Sequence, residues 1–435
     1  MLQEDRMITT KDLFTTILGN ILEWCDFGLF IFLAPILGEK FFPPSDAHTS
    51  TLAAFTVFAA GFICRPLGGI IFGNLGDKKG RAQTLRRSIL IISFATFLTG
   101  LLPSYQTLGI TTTILFIALR LIQGISAGGE YTGIMIYLAE SASESKQGLL
   151  TSLAASGATL GFLLANLIIL LLKNFSFQFH ANNWNWRLAF ILIGALGFII
   201  LYYRLKLPET KVFLSLKSSH NIIQKPLLSA IQNAYKSLLK IVGLTCMSST
   251  FYFVFFIYMP VYLVKYSSFS INTSIMIQTL LLITMLFLLP IGGIVGDKFG
   301  RRNILALVAV SIFIFVLPCF YVLQQGNIML TIICLLIATI LSSLDQGSNI
   351  MAFVENCPIN IRYSGIAFAY NLGNAIFGGT TPLMLSLLTE RINKFAPAFY
   401  LMIVAGVSLI TVTTLIAKNK QPILGIKNHQ PYPTT

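Results

Sequence analysis

Apolar runs of roughly 18 residues or more recur along the whole chain, each long enough to cross a bilayer core of about 30 Å. The pattern predicts about twelve spanning helices, near 15–38, 50–73, 87–103, 112–138, 149–172, 187–204, 238–263, 274–295, 303–323, 328–353, 364–388 and 396–416. The polar breaks between them are short, with one exception at about 205–237, which carries Lys206, Lys211, Lys217, Lys225, Lys236 and Pro226. This break divides the chain into residues 1–204 and 238–417, each with six spans, and reads as a cytoplasmic linker. Within it, Leu227 to Leu239 reads either as an amphipathic helix on the inner leaflet or as solvated chain. The polar, proline-containing tail at 418–435 is expected to be disordered, with no soluble domain at either end.

A motif repeats across the two six-span halves. Gly73-Asn-Leu-Gly-Asp77-Lys-Lys-Gly80-Arg81 recurs as Gly293-Ile-Val-Gly-Asp297-Lys-Phe-Gly300-Arg301, each copy between the second and third spans of its half. Internal repeats of this kind are the signature of secondary transporters, which rock one half against the other. The glycines permit a tight turn and close helix approach. Asp77 and Asp297 are placed to accept bonds from basic groups or to cap a neighbouring helix, and Arg81 and Arg301 to pair with carboxylates. Glu140 and Glu355 close spans four and ten at the same membrane face. Pseudo-symmetry pairs Glu140 with Arg301 or Arg302, and Glu355 with Arg81. A plain turn followed by stop-transfer charges would give each copy alone, but not both at equivalent places.

Composition agrees with this pattern. The chain is 55% hydrophobic and 11% charged, with mean hydropathy +0.77, where a soluble domain carries about 25% charged residues. Net charge is +14, and its placement matters more than its size. With the N-terminus in the cytoplasm, most Lys and Arg fall on the cytoplasmic side, and the opposite orientation violates the positive-inside rule. The basic charge is thus a topology signal and not a nucleic-acid footprint. The first span lacks a cleavage site and reads as a retained helix. The six cysteines are scattered without Cys-x-x-Cys spacing, and His48, His180, His220 and His429 lie in loops or tails, so no metal site or cofactor is expected. No Walker loop is present to couple ATP.

On these residues the chain resembles the major facilitator superfamily, and more narrowly the metabolite:proton symporters that include proline/betaine, α-ketoglutarate, citrate and shikimate carriers. The narrower resemblance rests on five segments: Gly19-Asn20-Ile-Leu-Glu23-Trp24-Cys-Asp26-Phe27; Arg65-Pro66-Leu-Gly68-Gly69; Arg120-Leu-Ile-Gln123-Gly124 with Gly128-Gly129-Glu130-Tyr131; Tyr137-Leu-Ala-Glu140; and Arg362-Tyr363-Ser364-Gly365 with Tyr370-Asn371. It implies an all-α membrane protein of two pseudo-symmetric six-helix halves in the inner membrane, with both termini cytoplasmic. The implied function is import of a small polar metabolite with a proton, not an enzymatic reaction. A functional monomer is expected, with solute, proton and lipid bilayer as partners. Cys25 and Glu355-Asn-Cys357-Pro358 depart from the family pattern.

Glu23, Asp26, Arg65, Arg120, Glu130 and Asp345 fall inside predicted spans, where each costs about 2.5–3.5 kcal/mol to insert. Glu23 and Asp26, at i and i+3 on one helix face, resist ionising together. With Glu130 they are the proton-coupling candidates. Arg65 and Arg120 cannot deprotonate and serve as counter-charges or as clamps for a solute carboxylate. Because Arg120 and Glu130 are too far apart on one helix to pair, partners must come from other helices. Trp24, Tyr131, Tyr258, Tyr370 and Asn371 are candidate solute contacts, although many aromatic stripes here only pack. The solute site is expected on spans one, two, four, seven, ten and eleven. The competing readings are an exporter of the same superfamily, which usually carries Gly-Pro in span five where this chain has none, and a membrane sensor, which would need an output domain.

Overall fold

The computed structural model describes residues 8–43, 46–175 and 185–415; the tail at 418–435 lies outside them. The apolar runs form helices α1 (Thr10–Phe41), α2 (Thr49–Lys79), α3 (Arg81–Leu101), α4 (Ile110–Ser141), α5 (Gln147–Phe175) and α6 (Asn185–Arg204). The second set is α7 (Tyr235–Tyr266), α8 (Ile271–Phe299), α9 (Arg301–Leu323), α10 (Ile328–Asn356), α11 and α12 (Ala396–Thr413). Eleven of these are unbroken enough and apolar enough to span a membrane by themselves. The twelfth, α11, is built in three pieces: Arg362–Gly373, a wide π turn Asn374–Gly379, and Thr381–Arg391.

Local chemistry sets the ends. Thr9 and Asp12 form a reciprocal capping box that opens α1, and Ser270 and Asn327 cap α8 and α10 with their side chains. Large apolar side chains such as Phe287, Ile314 and Ile403 point outward, as a lipid-facing surface requires.

The repeated motif differs from a basic loop. Both α2 and α8 remain helical through the aspartate, and one glycine makes each turn. Gly80 has φ 113° and Gly300 φ 86°, a region that side-chain-bearing residues rarely enter. Asp77 and Asp297 therefore sit on the last helical turn, aimed sideways at a neighbour.

The two six-helix sets press together through glycine faces. A Cβ on Gly69 or Gly73 of α2 would collide with Ala367 or Ser364 of α11, and one on Gly293 of α8 would collide with Gly148 of α5. Between α6 and α7 the chain forms short helices Lys211–Ser218 and Pro226–Asn233. Of the two readings of 227–239, neither a continuous helix nor solvated chain describes it: a helix stops at Asn233, and α7 starts at Tyr235. Helix Pro226–Asn233 lies against α2 and α11, with Ala230 buried and Leu228 and Ile231 outward.

Candidate functional site

Three buried ion pairs organise the first six helices. Asp26 of α1 binds Arg120 of α4 at 3.1 Å and accepts hydrogen bonds from Thr96 (2.9 Å) and Gln123 (3.1 Å). The Arg120 guanidinium also lies 4.3 Å from the ring centroids of both Phe27 and Phe30. Glu130 of α4 pairs with Arg204 of α6 at 2.6 Å and accepts from Ser88. Arg204 further donates to the carbonyls of Leu85 and Thr16, and a Cβ on Gly19 would occupy its place. As the helical spacing requires, Arg120 and Glu130 find their partners on other helices.

Glu23 is held more loosely. Its nearest cation is Arg65 of α2 at 3.6 Å, and neither carboxylate oxygen accepts a hydrogen bond. Arg65 is packed against Trp24, Phe27 and Phe62, with ring centroids 5.3, 5.6 and 5.1 Å away. Its Nε donates to Asn371 Oδ1 of α11 at 3.3 Å, while Asn371 Nδ2 donates to the Gly128 carbonyl of α4 at 2.7 Å. Asn371 is thus a plug between α2 and α4 carried by the opposite helix set. Although i and i+3, Glu23 and Asp26 turn to different arginines and do not form one carboxylate pair.

A small cavity lies where the two sets meet. Trp24 (α1), Tyr131 and Met135 (α4), and Ala155, Ala158 and Thr159 (α5) form one wall. Ser248, Ser249, Tyr252 and Phe253 (α7), Gln346, Asn349, Ile350 and Phe353 (α10), and Tyr370 and Asn374 (α11) form the other. The aromatic rings touch in sequence: Trp24 on Tyr131 and Tyr131 on Tyr370 at 5.6 Å, then Tyr370 on Phe353 at 5.9 Å. No charged side chain is among these lining residues. Two polar lining atoms, Trp24 Nε1 and Asn349 Oδ1, are buried without a hydrogen-bond partner. Both π turns, Phe253–Tyr258 in α7 and Asn374–Gly379 in α11, begin at the cavity wall, in keeping with the frequency of π turns at functional sites.

Of the solute contacts expected from sequence, the structure brings Trp24, Tyr131 and Tyr370 to the cavity. Arg120 is committed to Asp26, and Arg65 lies behind Trp24. Tyr258 bonds to Thr389 at 2.9 Å away from the cavity, and Asn371 is spent on the interface. Helix α5 lines the site in place of the expected α2, because the α2 glycines press flat against α4 and α11. Sequence reading missed Arg204, which stands at the very end of its predicted span. It also missed the polar wall of Ser249, Gln346, Asn349 and Asn374, single polar residues in apolar helices that carry no pattern.

One face of the bundle, where the basic connections lie, is closed by aspartate caps that cross between the helix sets. Asp77 accepts from the backbone N–H of Tyr363 (3.1 Å) and Ser364 (2.8 Å), the first turn of α11. Asp297 accepts from Gly148 (2.9 Å) and Leu149 (3.2 Å), the first turn of α5. Each aspartate is also within ion-pair reach of its own arginine, Arg81 at 3.4 Å and Arg301 at 2.6 Å. The expected crossed arginine pairs do not form. Arg81 binds Glu140 at 3.2 Å and Arg301 binds Glu355, each within its own set, because α3 packs on α4 and α9 on α10. The arginine that reaches Glu140 from the opposite set is Arg362, at 3.2 Å. Glu209, beyond α6, caps the first turn of α3 through Arg81 N and Ala82 N. Burial pushes its carboxyl above the ordinary range despite these donors.

The family described as Major Facilitator Superfamily matches residues 16–382. The proline/betaine transporter of Escherichia coli (strain K12) is 36% identical over 417 residues, 94% of this chain and 83% of the relative. The citrate-proton symporter of Klebsiella pneumoniae is 30% identical over 403 residues, 92% of this chain and 90% of the relative. Among solved structures, the proton:xylose symporter XylE bound to 6-bromo-6-deoxy-D-glucose superposes with TM-score 0.71 at 16% identity, covering 93% of this chain and 94% of that one. The human organic anion transporter MFSD10 gives 0.66 at 15% identity, covering 93% and 98%. At those identities the structural likeness concerns the fold, which is the twelve-helix facilitator architecture.

Proposed function

The chain belongs to the major facilitator superfamily, and from that premise we propose that it imports a small zwitterionic solute of the proline or betaine kind together with a proton. The observation that carries this reading is the cavity: an aromatic wall, unpartnered Trp24 Nε1 and Asn349 Oδ1, and no lining charge. A quaternary or secondary ammonium gains cation–π attraction from such rings, and an indole N–H is a donor for a carboxylate. A multiply charged anion such as citrate would enter this wall without a counter-cation, at a large desolvation cost. The reading also accords with the name of the 36%-identical relative.

Residues 1–204 and 238–417 are the rocking halves, joined by 205–237, and the basic face is cytoplasmic by the positive-inside rule. The state described is then closed to the cytoplasm. Asp77, Asp297, Arg81, Arg301, Glu140, Glu355 and Arg362 form the latch, with Gly73, Gly80, Gly293 and Gly300 allowing its close approach. Solute and proton bias the same equilibrium between closed and open faces, which couples them.

Among the three proton candidates, Asp26 and Glu130 are held by short ion pairs with hydrogen-bond support, and Glu23 is the one whose oxygens have no donor. Glu23 carries the coupled proton. Neutralising it leaves Arg65 as a net positive charge behind Trp24, which draws the solute carboxylate to that wall and alters the Arg65–Asn371 bond between the halves. Equilibrium binding to the purified protein tests the solute class. Glycine betaine and proline are expected to bind, and citrate to bind far more weakly. Citrate binding as tightly as betaine would overturn the reading.

A further inference from the structure

The second half holds a buried carboxylate that the scheme above leaves unused. Asp345 of α10 is 3% exposed. Its Oδ2 accepts a hydrogen bond from Ser248 of α7, and its Oδ1 has no partner. Every other carboxylate singled out within the spans has an arginine in reach: Asp26 has Arg120, Glu130 has Arg204, and Glu23 has Arg65. Among the described residues, no cationic side chain lies within ion-pair distance of Asp345. A lone ionised carboxylate in such surroundings is too costly to persist without a proton or a counter-cation.

Its position says which cation is available. Ser248, which holds Asp345, and Gln346, the next residue on α10, both line the cavity, beside Tyr252 and Phe353. Arg65 stands behind Trp24 on the opposite wall. The cavity therefore has a carboxylate one hydroxyl behind one wall and a guanidinium one ring behind the other. No three acidic, histidine or cysteine side chains gather into a metal site among the described residues.

We propose that Asp345, presented through Ser248, is the counter-charge for the cationic nitrogen of the solute, so that the bound zwitterion spans the two halves. The solute nitrogen lies against Tyr252, Phe353 and Ser248, and its carboxylate lies against Trp24. The carboxylate then selects solutes by their positive pole, while the aromatic rings select by size and shape. This inference rests on the zwitterion reading given above and adds the residue that enforces it.

The test compares glycine betaine with tert-butylacetate, its carbon isostere, in which the cationic nitrogen is replaced by neutral carbon. Equilibrium binding of both is measured on the purified full-length protein. Wild type is expected to prefer betaine, and Asp345→Asn to reduce the betaine/isostere affinity ratio by about tenfold or more, equivalent to about 1.4 kcal/mol. Asp345→Glu should restore much of the ratio. Ser248→Ala, which leaves the carboxyl in place, should reduce it in the same direction and serves if Asp345→Asn does not fold. An unchanged ratio in the folded Asn variant, or in Ser248→Ala where that variant stands in, overturns the assignment of Asp345 alone. Wild type that binds neither compound, or both equally, overturns the zwitterion reading and this inference with it.

Discussion

At the residue scale, the three buried acid–arginine pairs of the first half differ in how well each carboxylate is held. Asp26 and Glu130 are supported by hydroxyl or amide donors as well as arginine. Removing either charge strands a buried guanidinium, at about 3–5 kcal/mol. Asp26→Asn and Glu130→Gln should therefore lower thermal stability markedly, and melting curves in detergent check this. Melting temperatures equal to wild type would mean that the arginines find other partners. Glu23→Gln should fold, because the carboxylate accepts no hydrogen bonds and Arg65, 3.6 Å away, keeps its bond to Asn371 and its ring contacts. It should retain solute exchange across the membrane while losing accumulation driven by a proton gradient. Wild-type accumulation in that variant would remove Glu23 from the proton path. The sequence made these acids visible as charges inside apolar runs. The sequence favours Asp26 over Glu23, which lies nearer the cytoplasmic end of its span; the opposite order proposed above depends on donors from α3, α4 and α6.

At the element scale, the repeated glycine–aspartate–arginine motif is two helix ends joined by a single left-handed glycine, each delivering an aspartate to a helix of the other half. The repeat was legible because both copies must make the same turn. The cross-half backbone targets were not, since a helix N-terminus offers N–H groups whatever its side chains are. The turns are not equally tolerant. A Cβ at Gly80 would meet the Glu209 carboxylate that caps α3, whereas at Gly300 the nearest atom is Asn303 Nδ2 at 3.8 Å. Gly300→Ala should cost the backbone strain alone, about 1–3 kcal/mol, and Gly80→Ala should cost more because the cap is also displaced. Equal losses in chemical or thermal denaturation would contradict the role given to Glu209. Helix α11 shows the limit of reading spans from hydropathy. Its run at 364–388 looked continuous, yet Asn374–Gly379 opens into a π turn where Asn374 reaches the cavity and Gly378 packs on Phe253.

At the scale of the whole molecule, twelve spans, two halves and the basic face were all readable from apolar length, the repeat and the charge bias. The cavity was readable only in part. Trp24, Tyr131 and Tyr370 stood out in the family-like segments of α1, α4 and α11, while Phe253, Phe353 and the small and amide side chains of α5, α7 and α10 are marked by no periodicity. In the proposed latch Asp77 and Asp297 hold one face shut, so Asp77→Asn and Asp297→Asn should shift the population towards opening at that face and change exchange rates more than solute affinity. Labelling of cysteines introduced along α5 and α11 near the latch checks this; a collapse of affinity with normal exchange rates would contradict the latch. The central claim, that a proton gradient drives a zwitterion through this cavity, is tested most directly by labelled glycine betaine uptake into liposomes containing the purified protein, with an imposed inward proton gradient. The account predicts accumulation above the external concentration, abolished by a protonophore. Equilibration without accumulation, or accumulation indifferent to the protonophore, would contradict it.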